Sequence, residues 1–214
     1  MDISLKVLGK TFLNAILAGI FIGLAGTVYL AVPNPVMGAF LFGFGLLTIL
    51  CYSFKLFTGA IGYLVNQGKD TFRYLVILLM IWLGNLVGCF AVGTLIRMSR
   101  TFPKLQTRVA AVCADKMADN WGSLFILAVF CGIMMYLAVE TFRRKELDAV
   151  FRLPMVFLCV SIFILSGFEH CIANMYYFSV AGLWSLKTLW LIVIMTFGNA
   201  CGGMFLPAAD KIRQ

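Results

Sequence analysis

Long apolar stretches alternate with short polar ones along the whole chain, and six of them approach or exceed the length that a bilayer demands: residues 11–32, 35–66, 73–97, 121–142, 152–178 and 187–207. A helix needs about 20 apolar residues to cross the hydrocarbon layer, so each stretch predicts one spanning helix. Two of the six are interrupted. Ser53, Lys55 and Thr58 break the second, and Ser166, Glu169, His170 and Asn174 break the fifth. Each reads as a broken helix, because unwound backbone at membrane depth is tolerated only where it lines a cavity or is buried in protein. Pro33 and Pro35 punctuate the first connection and Gln67-Gly68-Lys69-Asp70 the second, while the third, from about Met98 to Asn120, is the longest. The first run exceeds a signal-peptide core and no small-residue cleavage site follows it, so it is expected to stay as a span.

The pattern also repeats. An offset of about 114 residues lays Phe54-Lys55 on Phe168-Glu169, Gly84-Asn85 on Gly198-Asn199, and Gly88 on Gly202. With one residue of slip, Ala18-Gly19-Ile20 falls on Cys131-Gly132-Ile133. An internal duplication follows, with one copy over about 11–98 and the other over about 120–207 of a single transmembrane domain, 1–214. Three spans per copy is an odd number, so the second copy must enter the membrane in the opposite sense. The expected fold is therefore an all-α membrane protein of six transmembrane helices in two inverted three-helix repeats, aquaporin-like, with the second and fifth helices broken near the midplane.

Composition agrees with lipid as the solvent: 62% of the 214 residues are hydrophobic and only 12% are charged, against roughly 45–50% apolar in soluble domains. The net charge of +8 does not point to nucleic acid, because the basic residues sit at span ends, where they meet headgroups and set orientation. With the N-terminus inside, Lys6, Lys10, Lys69, Arg73, Arg143, Arg144, Lys145, Arg152, Lys211 and Arg213 face the cytoplasm. That is about twice the basic count of the third connection, so both termini are expected in the cytoplasm and the protein in the cell (inner) membrane as a multi-pass chain. The seven cysteines include no C-x-x-C spacing, which leaves neither a disulfide framework nor a metal site, and one histidine cannot supply bis-histidine haem ligation. No cofactor is expected, and no enzymatic activity.

Leu56 to Gly59 reads L-F-T-G, Gly84 to Gly88 reads G-N-L-V-G, Gly167 to Met175 reads G-F-E-H-C-I-A-N-M, and Gly198 to Gly203 reads G-N-A-C-G-G. In this order the blocks resemble the successive signatures of the formate/nitrite transporter family, and the match runs through nearly the whole chain. The third block is the most specific, with a lone histidine preceded by an acid and followed four residues later by an asparagine inside an apolar span. An intramembrane ionisable group is by default a functional candidate, and His170 is the single histidine here. A bare monovalent anion pays several kcal/mol or more to enter a narrow apolar pore, and its conjugate acid pays far less. Imidazole, with an unperturbed pKa of about 6.5, can exchange a proton at physiological pH. The bland alternative is a neutral ring that only hydrogen-bonds between helices.

The resemblance implies further roles. It assigns His170 the central place, either as proton donor to the substrate or as a group that polarises it. It makes Lys116, in Ala114-Asp115-Lys116, a vestibule lysine that concentrates anions, and Thr58 a hydroxyl within reach of the histidine. Phe42, Leu46, Phe57 and Phe163 become constriction residues; without the resemblance they would read as plain core. Asn85, Asn199 and Asn174 support the pore. The family forms pentamers with one pore per protomer, and its solutes are formate, nitrite and hydrosulfide, carried with or without protons. Formate is expected first.

Two positions depart from the family. Lys55 stands where relatives usually have glutamate, and its repeat counterpart is Glu169, so a buried Lys55–Glu169 ion pair is expected across the pseudo-twofold, with a lysine turned toward lipid headgroups as the competing reading. Gly132 stands where relatives often have asparagine. Three rival readings remain: a neutral-solute pore, which would share inverted repeats but for which no N-P-A triplet occurs; a membrane redox protein; and a purely structural membrane protein, for which midplane polar residues would be an unexplained cost.

Overall fold

The computed structural model describes residues 4–213, and every regular element among them is helical. In chain order the α-helices are Leu5–Ala31 (α1), Pro35–Cys51 (α2), Phe57–Ala60 (α3), Thr71–Arg97 (α4), Phe102–Ala118 (α5), Trp121–Arg143 (α6), Ala149–Leu165 (α7), Cys171–Ala181 (α8) and Leu186–Arg213 (α9). Helices α1, α4, α6 and α9 are long and apolar enough to cross a membrane. Large apolar side chains such as Phe40, Phe44, Leu79, Phe90, Leu158 and Phe197 are exposed around the outside, as a chain embedded in lipid requires. This is a multi-pass membrane protein.

Helices α2 and α7 have 17 residues each, or about 25 Å at 1.5 Å per residue, and end short of a full crossing. Each is followed by a break and a second helical piece: α3, continued by 3-10 turns over Ile61–Asn66, and α8. The two breaks are built alike. Ser53 and Gly167 adopt positive φ, 57° and 69°, and the next amide reaches five residues back, Phe54 N–H to Ile49 O and Phe168 N–H to Phe163 O, both 2.9 Å. This is the helix-ending turn in which a left-handed residue lets the chain close over the last carbonyls.

Buried side-chain amides then hold the unwound strands. Asn85 of α4 donates from Nδ2 to Ala15 O and Lys55 O, both 2.8 Å, while its Oδ1 accepts from Phe57 N–H at 2.9 Å. Asn199 of α9 donates to Ala128 O and Glu169 O, both 2.8 Å, and accepts from Cys171 N–H at 2.8 Å. The partners differ by 113 or 114 positions throughout, the offset read from the sequence. These bonds satisfy the backbone groups that the breaks release, where no lipid could do so.

Such bonds need helices in close contact. Helix α1 packs along α4 and α6 along α9; α2 faces α7, α8 lies on α4, and the 3-10 turns after α3 lie on α9. A Cβ at Gly132 would overlap the carbonyl oxygen of Asn199, and one at Gly202 would overlap that of Val129. The first half repeats the arrangement with Gly19 against Asn85 and Gly88 against Ile16. In this packing Gly132 leaves no room for a side chain such as asparagine.

The third connection differs from expectation, for most of it is the helix α5. Leu105, Val109 and Cys113, four residues apart, are buried and pack this helix against α8 and α1. Arg108 ties it down, with Nη1 donating to Val32 O and the guanidinium lying 4.5 Å over the Tyr29 ring.

Gly132→Ala and Gly202→Ala are expected to destabilise the protein by about 1–3 kcal/mol each, because backbone and not a flexible side chain must move. Ser53→Gly, which relieves a left-handed serine, is expected to be at least as stable as the parent. Thermal melts of the purified protein in detergent test all three.

Candidate functional site

Residue 170 sits where the second break ends and α8 begins. His170 is the N-cap of that helix, and its Nδ1 accepts the Ala173 amide hydrogen at 3.0 Å. A nitrogen that accepts carries no hydrogen, so in the neutral ring the proton lies on Nε2. Nε2–H then donates to Thr58 Oγ1 at 3.0 Å. Thr58 belongs to α3, directly after the first break, so this one bond joins the two interrupted helices. Both residues are buried, at 2% and 0% exposure.

Beside the histidine lies a charged cluster. Lys116, in the last turn of α5, reaches both carboxylate oxygens of Glu169, at 2.8 and 2.7 Å. Asn174, one turn into α8, donates to Glu169 Oε2 at 2.7 Å. Its Oδ1 is buried without a partner. Glu169 is thus bonded on its backbone oxygen by Asn199 and on its side chain by Lys116 and Asn174. A carboxylate in so apolar a chain demands this degree of compensation.

A cavity of about 310 Å³ opens onto the cluster, lined by Lys116, Glu169, His170, Asn174, Phe163 and Tyr177 among others. The imidazole stacks on Phe163 with centroids 5.6 Å apart, and Phe163 meets Phe42 edge-on at 6.0 Å. A second space lies past this barrier, about 30 Å³ lined by Leu46, Leu56, Lys55, Gly59, Val139 and Arg143 among others. It shares no lining residue with the first. Leu56, which precedes Phe57 as His170 precedes Cys171, is the histidine's counterpart at the offset of 114.

Of the residues singled out in the sequence, His170, Thr58, Lys116, Glu169 and Asn174 come together, and Phe163 and Phe42 lie against them. Leu46 lines the second space instead. Phe57 is buried in the core and lines neither cavity; its amide is held by Asn85. The expected Lys55–Glu169 pair is corrected: Glu169 pairs with Lys116, and Lys55 lines the other cavity. Residues equivalent in the repeat occupy equivalent places in their own halves, which puts them on different cavities and not in contact. Tyr29, Tyr177, Asp115 and Asp119 also line the first cavity and were not anticipated. The two acids lie in the last turn of α5 and at its C-cap, a helix that the third connection hides in the sequence.

The family model described as formate/nitrite transporter matches residues 4–209. The chain is 27% identical over 224 residues to a formate-nitrite transporter of Entamoeba histolytica, covering 92% of this chain and 62% of that one, so it spans less than two thirds of that relative's length. It is 28% identical over 238 residues to the nitrite transporter NirC of Escherichia coli, covering 95% and 88% of the two chains. A pentameric formate channel with formate bound superposes with a TM-score of 0.79 over 96% of both chains, at 23% identity, and shares the fold. With nearly all of its length matched by that model, the chain belongs to the formate/nitrite transporter family.

Proposed function

We propose that this protein is a channel or proton-coupled carrier for small monovalent anions of weak acids, formate foremost, with nitrite and hydrosulfide as alternatives. The observation that carries the reading is His170, which lines the first cavity beside Phe163 and bonds the buried Thr58 of the other half. The relatives' names, a nitrite transporter and a formate channel with formate bound, support the solute class.

In this reading α1 to α4 and α6 to α9 are two oppositely inserted halves of one transmembrane domain, with α2 plus α3 and α7 plus α8 each serving as one broken span. The shared offset of their turn and asparagine bonds supports it. The termini and the Lys55 mouth face the cytoplasm, by the positive-inside rule, and the Lys116 mouth faces outward. Five copies assemble with one pore each, as the pentameric neighbour supports.

An anion attracted by Lys116 meets a cation whose charge Glu169 offsets, so it is held loosely and can move on. At the floor it meets the imidazole of His170, whose Nε2–H must turn from Thr58 Oγ1 to reach it, and the dipole of α8. With Nδ1 occupied by the Ala173 amide, this ring offers a hydrogen bond and not a proton, since losing the Nε2 hydrogen would leave an imidazolate. The geometry therefore favours polarisation of the solute; direct proton transfer first requires Nδ1 to release its amide and take up a proton. Phe42, Phe163 and Leu46 admit the solute only without its water.

Proteoliposomes loaded with the parent protein are expected to take up formate, nitrite or hydrosulfide, with faster uptake at lower external pH. His170→Asn keeps an N-cap for α8 and removes the ring donor, so uptake of the ion should fall at least tenfold with folding intact. No flux of any of the three in the parent at any pH defeats the proposal. The charge cluster makes a separate prediction: Glu169→Gln leaves Lys116 partnerless and should cost about 2 kcal/mol, less than the roughly 3–5 of a fully buried pair. The double variant with Lys116→Met should recover part of that loss in a thermal melt.

A further inference from the structure

The two cavities differ in charge. Where the second half has the carboxylate of Glu169, the first half has the ammonium of Lys55, 114 positions earlier. The space around Lys55 is shared with Arg143. It adjoins a further 210 Å³ that has Ile49, Leu50, Phe54 and Arg143 in common with it and adds Lys145 and Arg152. Four cations therefore border one continuous mouth.

None of the four has an acidic partner among the described residues. The ion pairs among the described residues are Lys116–Glu169, Arg144–Glu140 and Arg213–Asp210. Glu140, the acid nearest Arg143 along α6, has Oε2 taken by the Tyr63 hydroxyl at 2.8 Å and Oε1 facing Arg144 at 3.5 Å. Arg143 itself lies over the Tyr63 ring at 4.7 Å. Arg152 donates from Nη1 to Phe142 O at 3.1 Å, and its Nε is buried with no partner. Lys55 and Arg152 are half-buried and Arg143 and Lys145 are exposed; cations gathered without a counter-charge repel one another, most strongly where water is partly excluded, and an anion placed among them relieves that repulsion.

We propose that Lys55 and Arg143, backed by Arg152 and Lys145, form a second anion-binding site at the mouth opposite Lys116, which captures the transported anion on that side. The inference rests on the anion-transport reading. About 30 Å³ beside Lys55 is room for an ion of few atoms or about one or two waters, which fits a formate-sized carboxylate or nitrite. Lys116 is already neutralised by Glu169 and Lys55 is not, so capture is stronger at the Lys55 mouth and the two directions of transport saturate at different concentrations.

The test is labelled formate flux in right-side-out and everted vesicles of a host without formate transport of its own, so that each mouth is loaded separately. The parent is expected to half-saturate at a several-fold lower concentration from the Lys55 side. Lys55→Met should raise that value about tenfold and Lys55→Glu further, with Lys55→Arg near the parent and the value from the Lys116 side within about twofold. If Lys55→Met fails to fold, Lys55→Gln serves the same comparison. A parent that carries formate with symmetrical saturation, or a Lys55→Met variant that saturates as the parent does, overturns the site. A parent without flux in either orientation overturns the transport reading instead. Purified protein in liposomes of phosphatidylcholine alone separates the sources of anion: the Lys55 effect should persist there, and an effect confined to liposomes with anionic lipid means that the cluster holds headgroups, which also overturns the proposal.

Discussion

Asn85 and Asn199 each close three hydrogen bonds with one side chain, and the architecture depends on that closure. A helix that stops inside hydrocarbon leaves carbonyls and amides with nothing to bond, at a cost of several kcal/mol each. Turns at Ser53 and Gly167 recover some of these groups within the chain. The residues just past the turns, Lys55, Phe57, Glu169 and Cys171, cannot reach their own helix, and a buried amide with two donors and an acceptor is the smallest side chain that serves both flanks at once. Both asparagines are fully buried, so no water competes with them.

This solution places demands on the neighbours. For Asn85 to reach Ala15 O, α4 must run close to α1, and for Asn199 to reach Ala128 O, α9 must run as close to α6. Glycine supplies the closeness: Gly19, Gly88, Gly132 and Gly202 each leave space that a methyl group would take from a partner's backbone. The G-N-x-x-G motif is thus one device, an amide to bridge the break and a glycine one turn later to let it reach. Small residues at helix contacts are common in membrane proteins; here the contact also positions a polar bond.

Much of this was readable because hydrocarbon makes polar residues costly, so those inside apolar runs stand out. Ser53, Thr58, His170 and Asn174 announced the breaks, and the spacing of Gly84-Asn85 against Gly198-Asn199 announced the duplication. Less was readable where the signal is tertiary. The helix α5 has Leu105, Val109 and Cys113 on one face amid polar residues, a pattern that commits to a helix only when α8 and α1 are there to cover it. Lys116 is marked by resemblance, but the sequence pairs Glu169 with Lys55 and not with Lys116, because an alignment of halves pairs residues that are alike and not residues that touch. Phe57 and Leu46 were grouped with Phe42 and Phe163 as one constriction; the direction of each side chain, which spacing does not carry, sends Phe57 into the core and Leu46 to the other cavity.

The duplication also explains why chemistry gathers on one side. A perfect copy would place the same group at both break ends, yet position 170 is histidine and its counterpart 56 is leucine, while 169 is glutamate and 55 is lysine. At 55 and 169 the backbone carbonyl accepts from an asparagine amide whichever side chain it carries, so the scaffold tolerates either one there. Freed from a structural duty, these side chains can diverge. The second half has used its freedom for an imidazole that caps α8 and an acid that steadies Lys116. The first half leaves an apolar residue at the floor and cations at the mouth. Each cavity therefore has a lysine in its lining, Lys116 paired with Glu169 in one and Lys55 beside Arg143 in the other, but only the first is also lined by the histidine.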